Sequence, residues 1–394
     1  MLDDLDPLME KYGIDALLTT GSAFDNPNIL WLTGFRSADE ISCLKNHGEE
    51  PIVAAAHLVI ERVRKASFIT RTHDVTDVVT KIWQENKAIE DNMDRIYDSF
   101  LKAQFSGTTL GVPDDFPASL LVMLQKMGYA IKVVRKLLLE ARARKSTKEV
   151  RKIKKAGDAT TGAIAQVVEM VKKSTIGANK VLMHKGIPLT VGTIKLALEH
   201  FLLDQGAESS EDAIIAVGKK AFDWHYLGDS GDKLKAGVPI IMDVFPRLKL
   251  ERYIADVTRT IVKGPVPRRV RDMFDAVAAA GSASVDAMTD GSIIDDVNLA
   301  CANALKKRGF DSRRLNPNAR EGMTHGLGHG IGLEVHEYPS MYHRADNFLE
   351  GHVMAIEPGV YLKSIGGVRI ENDYVVTRGK AKRLTTGLDD ILFV

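Results

Sequence analysis

Four carboxylates and a tight group of histidines in the second half of the 394-residue chain are of the types that hold metal ions. Asp243 lies in Pro239-Ile-Ile-Met-Asp-Val-Phe, and Asp256 in Tyr253-Ile-Ala-Asp-Val-Thr-Arg-Thr-Ile. Each is a lone carboxylate inside an apolar, strand-like run, where burial is costly unless the group is paired or metal-bound. The polar stretch from Arg247 to Arg252 can turn the chain back as a hairpin. Side chains would then meet across the strands at about 5 Å, close enough for two carboxylates to grip one cation. The alternative is that each aspartate bonds a nearby arginine, Arg252 or Arg259. Glu357 and Glu371 repeat the pattern in Val353-Met-Ala-Ile-Glu-Pro-Gly and Gly367-Val-Arg-Ile-Glu-Asn-Asp-Tyr. A turn at Lys363 to Gly367 centres a hairpin on residue 364, so the two glutamates can oppose each other. The strand period of two places Arg369, Glu371 and Asp373 on one face. A solvated charge ladder is the other reading of that pattern.

The run Met323-Thr-His-Gly-Leu-Gly-His-Gly-Ile-Gly-Leu-Glu-Val-His-Glu-Tyr carries His325, His329 and His336 among glycines at 326, 328, 330 and 332. That much glycine excludes an ordinary helix and suits backbone passing close to a ligand or a neighbouring strand. His329 and His336 are seven apart and would face opposite ways on an unbroken strand, so both can line one site only if the chain bends between them. His225, after Phe222-Asp223-Trp224, is unremarkable by itself. His47, His57, His73, His184, His200, His343 and His352 read as ordinary bonded histidines. Four carboxylates with a minority of imidazole suit manganese, iron, cobalt or zinc, not a thiolate-bound structural zinc. Around one divalent ion they leave excess negative charge. Two ions sharing bridging carboxylates remove it and can activate a water for hydrolysis.

These residues need strands to hold them, and the chain supplies candidates. Ala213 to Val217, Pro239 to Phe245 and Tyr253 to Val262 read as strands. Helices are expected from Thr193 to Leu203, Arg268 to Ala287 and Ile293 to Arg308, and the last 70 residues return to strands between glycine-rich turns. Residues 141–394 therefore read as an α+β domain of helices on antiparallel sheet. Residues 1–140 read as an α/β domain, with strands at Ile14 to Thr19, Lys65 to Thr70 and Thr109 to Val112, and a turn at Asn26-Pro27-Asn28 before Ile29-Leu30-Trp31-Leu32. Between the two, Arg142, Arg144, Lys145, Lys148, Arg151, Lys152, Lys154 and Lys155 make a basic run. Ser146 and Glu149 have capping-box spacing, so a helix starts there. The run is the wet face of that helix rather than a polyanion site, because acidic residues balance it overall.

Composition narrows the function. Lysine and arginine number 53 against 52 aspartates and glutamates, a net charge of +1 that argues against nucleic acid or a membrane surface as partner. Cys43 and Cys301 form neither a metal spacing nor a disulfide framework, which fits a cytoplasmic setting. The start, Met1-Leu2-Asp3-Asp4-Leu5-Asp6, is acidic and unlike a signal peptide.

Taken in order, Asp…Asp-x-Thr-Arg-Thr, Thr-His-Gly-Leu-Gly-His-Gly-Ile-Gly-Leu-x-Val-His-Glu, Glu-Pro-Gly-Val-Tyr and Gly-Val-Arg-Ile-Glu-Asn resemble the pita-bread metallopeptidases. These are the Xaa-Pro aminopeptidases, prolidases (Xaa-Pro dipeptidases) and methionine aminopeptidases. The N-terminal Asp15-Ala-Leu-Leu and Asn28-Ile-Leu-Trp-Leu-Thr-Gly-Phe resemble the creatinase/prolidase N-terminal domain, which favours the proline-directed branch. The resemblance implies a pita-bread catalytic domain and two divalent ions, manganese or cobalt before zinc or iron. Asp243 would chelate one ion, Asp256 and Glu371 would bridge both, and His329 and Glu357 would bind the other. It implies that His225 and His336 contact the scissile peptide, that His325 and Arg369 either back the metal ligands or bind on the product side, and that Glu357 shuttles a proton from a metal-bridging hydroxide. It further implies small proline-containing peptides as substrates and a homodimer. A relative that has lost the metal and binds peptides or proteins is the competing reading; ligands at all five positions argue against it. One departure stands out: the aspartates are thirteen apart, against the family's usual eleven, and Asp-Val-Phe-Pro-Arg replaces Asp-hydrophobic-Gly. A lengthening by two changes the hairpin tip but not the facing parity.

Overall fold

Ser146 and Glu149 do open a helix. Ser146 accepts the Glu149 N–H, Glu149 accepts the Ser146 N–H, and Thr147–Lys172 follows. The computed structural model describes residues 4–394; Met1, Leu2 and Asp3 of the acidic start lie outside the described residues. Two compact units meet at Arg142/Ala143.

The first unit is built on a six-stranded mixed sheet, in the order Arg71–Asp74, Ile52–Ala55, Ile41–Asn46, Ala16–Gly21, Thr109–Val112, Ala130–Val133. Its core gathers Leu18, Leu44, Tyr97, Phe100 and Leu110. Two local expectations fail there. Asn26-Pro27-Asn28 is the start of a helix, Pro27–Thr33, because the Asn26 side chain caps the Asn28 and Ile29 N–H groups and Pro27 takes the first helical position. Lys65 to Thr70 is not a strand. The helix His57–Ala66, held by buried Ile60 and Val63, runs into it, and the strand forms later, at Arg71–Asp74.

The second unit is α+β, as expected. Helices Arg268–Ala287 and Ile294–Lys307 pack together, burying Phe274, Val277, Val297 and Leu305 against Met354, Ile356, Val360 and Val368. The sheet residues that meet the helices alternate with polar ones. Val368 and Ile370 enter the core, while Arg369, Glu371 and Asp373 take the other parity and are also buried. One antiparallel group orders Ile214–Val217, Ile240–Val244 and Val257–Val262. Another runs Glu337–Ser340, Gly328–Gly330, Val353–Ile356, Asn372–Val375. The strand Val257–Val262 begins later than the expected Tyr253, although the hairpin ladder resumes as a bridge between Arg247 and Ile254.

Candidate metal centre

Two hairpins and one glycine-rich strand bring the chemistry-bearing residues together. In the aspartate hairpin, Asp243 opposes Thr258, and the register continues with Val244 opposite Val257. Asp256 is therefore not the direct partner of Asp243, as the hairpin argument supposed. It sits two positions further along the same face, which preserves the shared facing but makes the pair diagonal. In the glutamate hairpin, Val353–Ile356 pairs with Asn372–Val375, and Gly359–Leu362 with Gly366–Arg369, all centred on residue 364. Glu357 and Glu371 fall in register at the break between these two ladders. There the Glu371 N–H is released to the Thr258 carbonyl, tying this hairpin to the first. The strand Gly328–Gly330 lies beside Val353–Ile356. At Gly328 a Cβ would stand 1.9 Å from the Ala355 carbonyl oxygen, so only glycine lets the strand come this close.

At the centre are Asp256, His329 and Glu371, all buried, with one potential ligand atom from each lying within 4.8 Å of the others. His329 Nε2 is 3.8 Å from Asp256 Oδ2 and 3.9 Å from Glu371 Oε1. Its Nδ1 faces the Gly330 carbonyl at 3.1 Å. A carbonyl only accepts, so the proton belongs on Nδ1 and the Nε2 lone pair points at the two carboxylates. Burial, with His336 adding to it, pushes the His329 pKa down to about 4, so the ring is neutral at physiological pH.

Asp243 and Glu371 share one hydroxyl. Thr258 Oγ1 lies 2.8 Å from Asp243 Oδ1 and 2.7 Å from Glu371 Oε2, and it accepts from Arg369 Nε at 3.0 Å. With a single proton, the hydroxyl can donate to only one carboxylate. Arg369 Nη2 donates to Asp243 Oδ2 at 2.6 Å, and Nη1 to the Tyr361 hydroxyl at 2.7 Å. The expected arginines are occupied elsewhere: Arg252 binds Glu208, and Arg259 binds the Thr258 and Glu371 carbonyls. Asp373 accepts the Asp256 N–H at 3.0 Å.

The remaining histidines surround this centre. His325 Nδ1 donates to the Gly326 carbonyl at 2.6 Å, leaving Nε2 to accept from Tyr361 at 3.0 Å. His325 Nδ1 is also 3.8 Å from Glu357 Oε2. Its pKa falls to about 3 through burial and the neighbouring Arg369 charge. Trp224 packs on His325, with ring centres 5.5 Å apart, and on His225 at 3.9 Å. The chain does bend after Gly330, and the His336 ring meets the His329 ring at 4.3 Å. His225 and His336 both present exposed side chains. Burial and the Arg369 charge lower the His225 pKa.

The electrostatics call for cations. Burial raises the pKa of Asp256 and Glu371 well above the carboxylate range, and each is raised further by the other acidic groups. Burial pushes Glu357 up to about 8 despite the opposing effect of Arg369. Asp256 Oδ1 is buried with no hydrogen-bond partner among the described residues. Arg369 is the one arginine bonded to these carboxylates among the described residues, so the negative charge exceeds the positive. Uncompensated buried carboxylates must take up protons or bind metal. Oxygen donors, one neutral imidazole lone pair and an orphaned carboxylate oxygen fit a divalent ion well.

Of the nine residues singled out in the sequence, Asp256, His329 and Glu371 make the tight set. Asp243, Glu357, His325 and Arg369 border it, and His225 and His336 stand at its exposed side. Sequence reasoning gave no role to Thr258, Tyr361 or Trp224, and gave Asp373 a face but no part in the site. Thr258 was signalled by its place two residues after Asp256, and Asp373 by the parity of the glutamate strand. Tyr361 ends the Glu-Pro-Gly-Val-Tyr motif and Trp224 precedes His225, but neither motif told what the side chain would touch.

Residues 151–378 match the model of metallopeptidase family M24. An Xaa-Pro dipeptidase of Pyrococcus horikoshii is 27% identical over 386 residues, which span 96% of this chain and 94% of that protein. Among solved structures, an Xaa-Pro dipeptidase from Bacillus anthracis superposes with a TM-score of 0.80 at 20% identity, covering 100% of this chain and 99% of the other. An X-Pro aminopeptidase from Thermotoga maritima gives 0.78 at 21%, covering 98% and 100%. At such identities the likeness carries the fold: the catalytic half is a pita-bread structure.

Proposed function

The chain belongs to metallopeptidase family M24, and on that premise we propose that it is a metal-dependent exopeptidase that hydrolyses the peptide bond before proline, as an Xaa-Pro dipeptidase or Xaa-Pro aminopeptidase. The observation that carries the proposal is the buried convergence of Asp256, His329 and Glu371, with one carboxylate oxygen left unpartnered. Asp256 and Glu371 would hold two divalent ions, manganese or cobalt foremost, in common. His329 and Glu357 would hold one ion and Asp243 the other. Each carboxylate oxygen has two lone pairs, so Asp243 can keep Arg369 and Thr258 and still bind. When bound, the ions would lower the pKa of the attacking water and polarise the scissile carbonyl. Residues 1–140 would serve as a creatinase/prolidase-type N-terminal domain.

The protein groups do the rest. Glu357, partly exposed beside His325, would take a proton from the attacking water and pass it to the proline nitrogen. His225 and His336, on the exposed side, donate to the oxygen that becomes negative during attack. Half-buried Trp224, packed on His325, would offer aromatic surface to the pyrrolidine ring, with buried Tyr361 and Arg369 bracing His325 from behind. The test is hydrolysis of an Xaa-Pro dipeptide and an Xaa-Pro-Xaa tripeptide after chelation, with and without added manganese or cobalt. Metal-dependent cleavage of the dipeptide alone identifies a dipeptidase, and cleavage of the tripeptide an aminopeptidase. Cleavage of neither by metal-loaded protein refutes the reading.

A further inference from the structure

The loop from Ile331 to His336 owes its shape to a carboxylate that no step above employs. Glu337 is buried, and its Oε2 lies 2.8 Å from Lys145 Nζ, the two side chains being 3% and 2% exposed. Its Oε1 accepts the N–H groups of Leu333 at 2.8 Å and Glu334 at 3.2 Å. One carboxylate thus ties down the loop that ends in His336. Gly332 makes room for it, since a Cβ there would stand 2.6 Å from Oε2. The Gly332 carbonyl accepts the Ile254 N–H at 2.8 Å, so the same loop is fastened to the strand leading into Asp256. Lys145 is itself fixed through its N–H to the Gly351 carbonyl at 2.8 Å.

A buried ion pair is a poor source of stability, because desolvating two charges offsets much of their attraction. Apolar residues would fill the same space at little cost. What they would not supply is an acceptor for the Leu333 and Glu334 N–H groups, or a fixed direction for the chain entering His336. We propose that Glu337, held by Lys145, is a positioning residue that sets the His336 imidazole over the metal centre. The role rests on the reading of His336 as a substrate-contacting group.

The test uses metal-loaded full-length protein. In the K145M/E337L pair the charges leave together and the acceptor is lost. It should keep its ions by metal analysis, while kcat on a proline peptide falls about 10–100-fold, the range typical of groups that orient a metal site's residues. KM should hardly move. K145M/E337Q keeps an amide oxygen for both N–H groups and should restore most of the turnover. In a His336→Ala background, K145M/E337L should cause no further loss, because the two sites act through one group. The His336 ring signals in histidine-labelled protein should shift in the leucine variant and return with glutamine. Equal losses in both backgrounds, or unshifted His336 signals, overturn the proposal. If K145M/E337L does not fold, Gly332→Ala displaces the same carboxylate and should reproduce the turnover loss and the shifted signals; unchanged signals there overturn it. If the parent cleaves no proline peptide, the functional reading falls, and the His336 signals still decide this one.

Discussion

Stripping the metal should make the protein's stability fall with pH above neutrality, and Glu357 sets the scale. Its pKa is about 8 in the fold against 4.5 as the ordinary value. A carboxyl with a raised folded pKa holds its proton more tightly when folded, so its stabilisation is complete below 4.5 and is lost as pH rises through 8. The full loss for a shift of this size is about 5 kcal/mol, of which on the order of 1 kcal/mol falls between pH 7 and 9. Asp256, Glu371 and Asp373 are shifted in the same direction. His325 and His329 act oppositely, but their contributions end near pH 6.5, so the window above pH 7 isolates the carboxylates. Bound divalent ions keep these groups ionised and remove the effect, and the buried thiols Cys43 and Cys301 contribute equally to both forms. The assay is urea denaturation of chelated and manganese-loaded protein at pH 7, 8 and 9, repeated with Glu357→Gln. The gap between the two forms should widen with pH, and by on the order of 1 kcal/mol less in the variant. A chelated protein as stable at pH 9 as at pH 7, or a metal-loaded protein that loses as much, would refute the charge argument for the site.

Asp256→Ala should remove a ligand shared by both ions and lower hydrolysis by more than the roughly 100-fold seen for outer groups, with circular dichroism unchanged. Near-full activity with two bound ions would contradict its assignment. His336→Ala should retain the metals and lower turnover by about 10²–10³-fold, as for loss of one oxyanion donor; metal loss with unchanged turnover per loaded enzyme would contradict that role. Buried His352 has its pKa lowered to about 3 by burial and then by Lys145 and Arg144. It is neutral in the fold and protonates freely when unfolded, so it contributes a stability loss of about 2 kcal/mol between pH 7 and 5. His352→Gln should flatten that slope in chemical denaturation, and an unaltered slope would show that the histidine is accessible to protons.

The residue pattern alone determined much that is local. The capping box of Ser146 and Glu149, the helix Arg268–Ala287 and the centring of the glutamate hairpin on residue 364 depend on neighbours along the chain, and the structure has all three. Periods of 2 and 3.6 and a turn between strands are short-range constraints, which is why they can be read in advance. They also misled where two short-range signals competed, as at Asn26 and at Lys65 to Thr70. Only the tertiary structure decided which groups balance the buried charge. Asp243 takes its counter-ion from Arg369, 126 positions away, and not from the arginines beside it. Lys145 and Arg142, read as part of a wet basic face, are buried, while Lys148, Lys154 and Lys155 stay in water. The same packing brings Tyr361 to His325 and His336 to His329. A side chain's period names its face, but what lies opposite that face is set by segments folded against it from far along the chain.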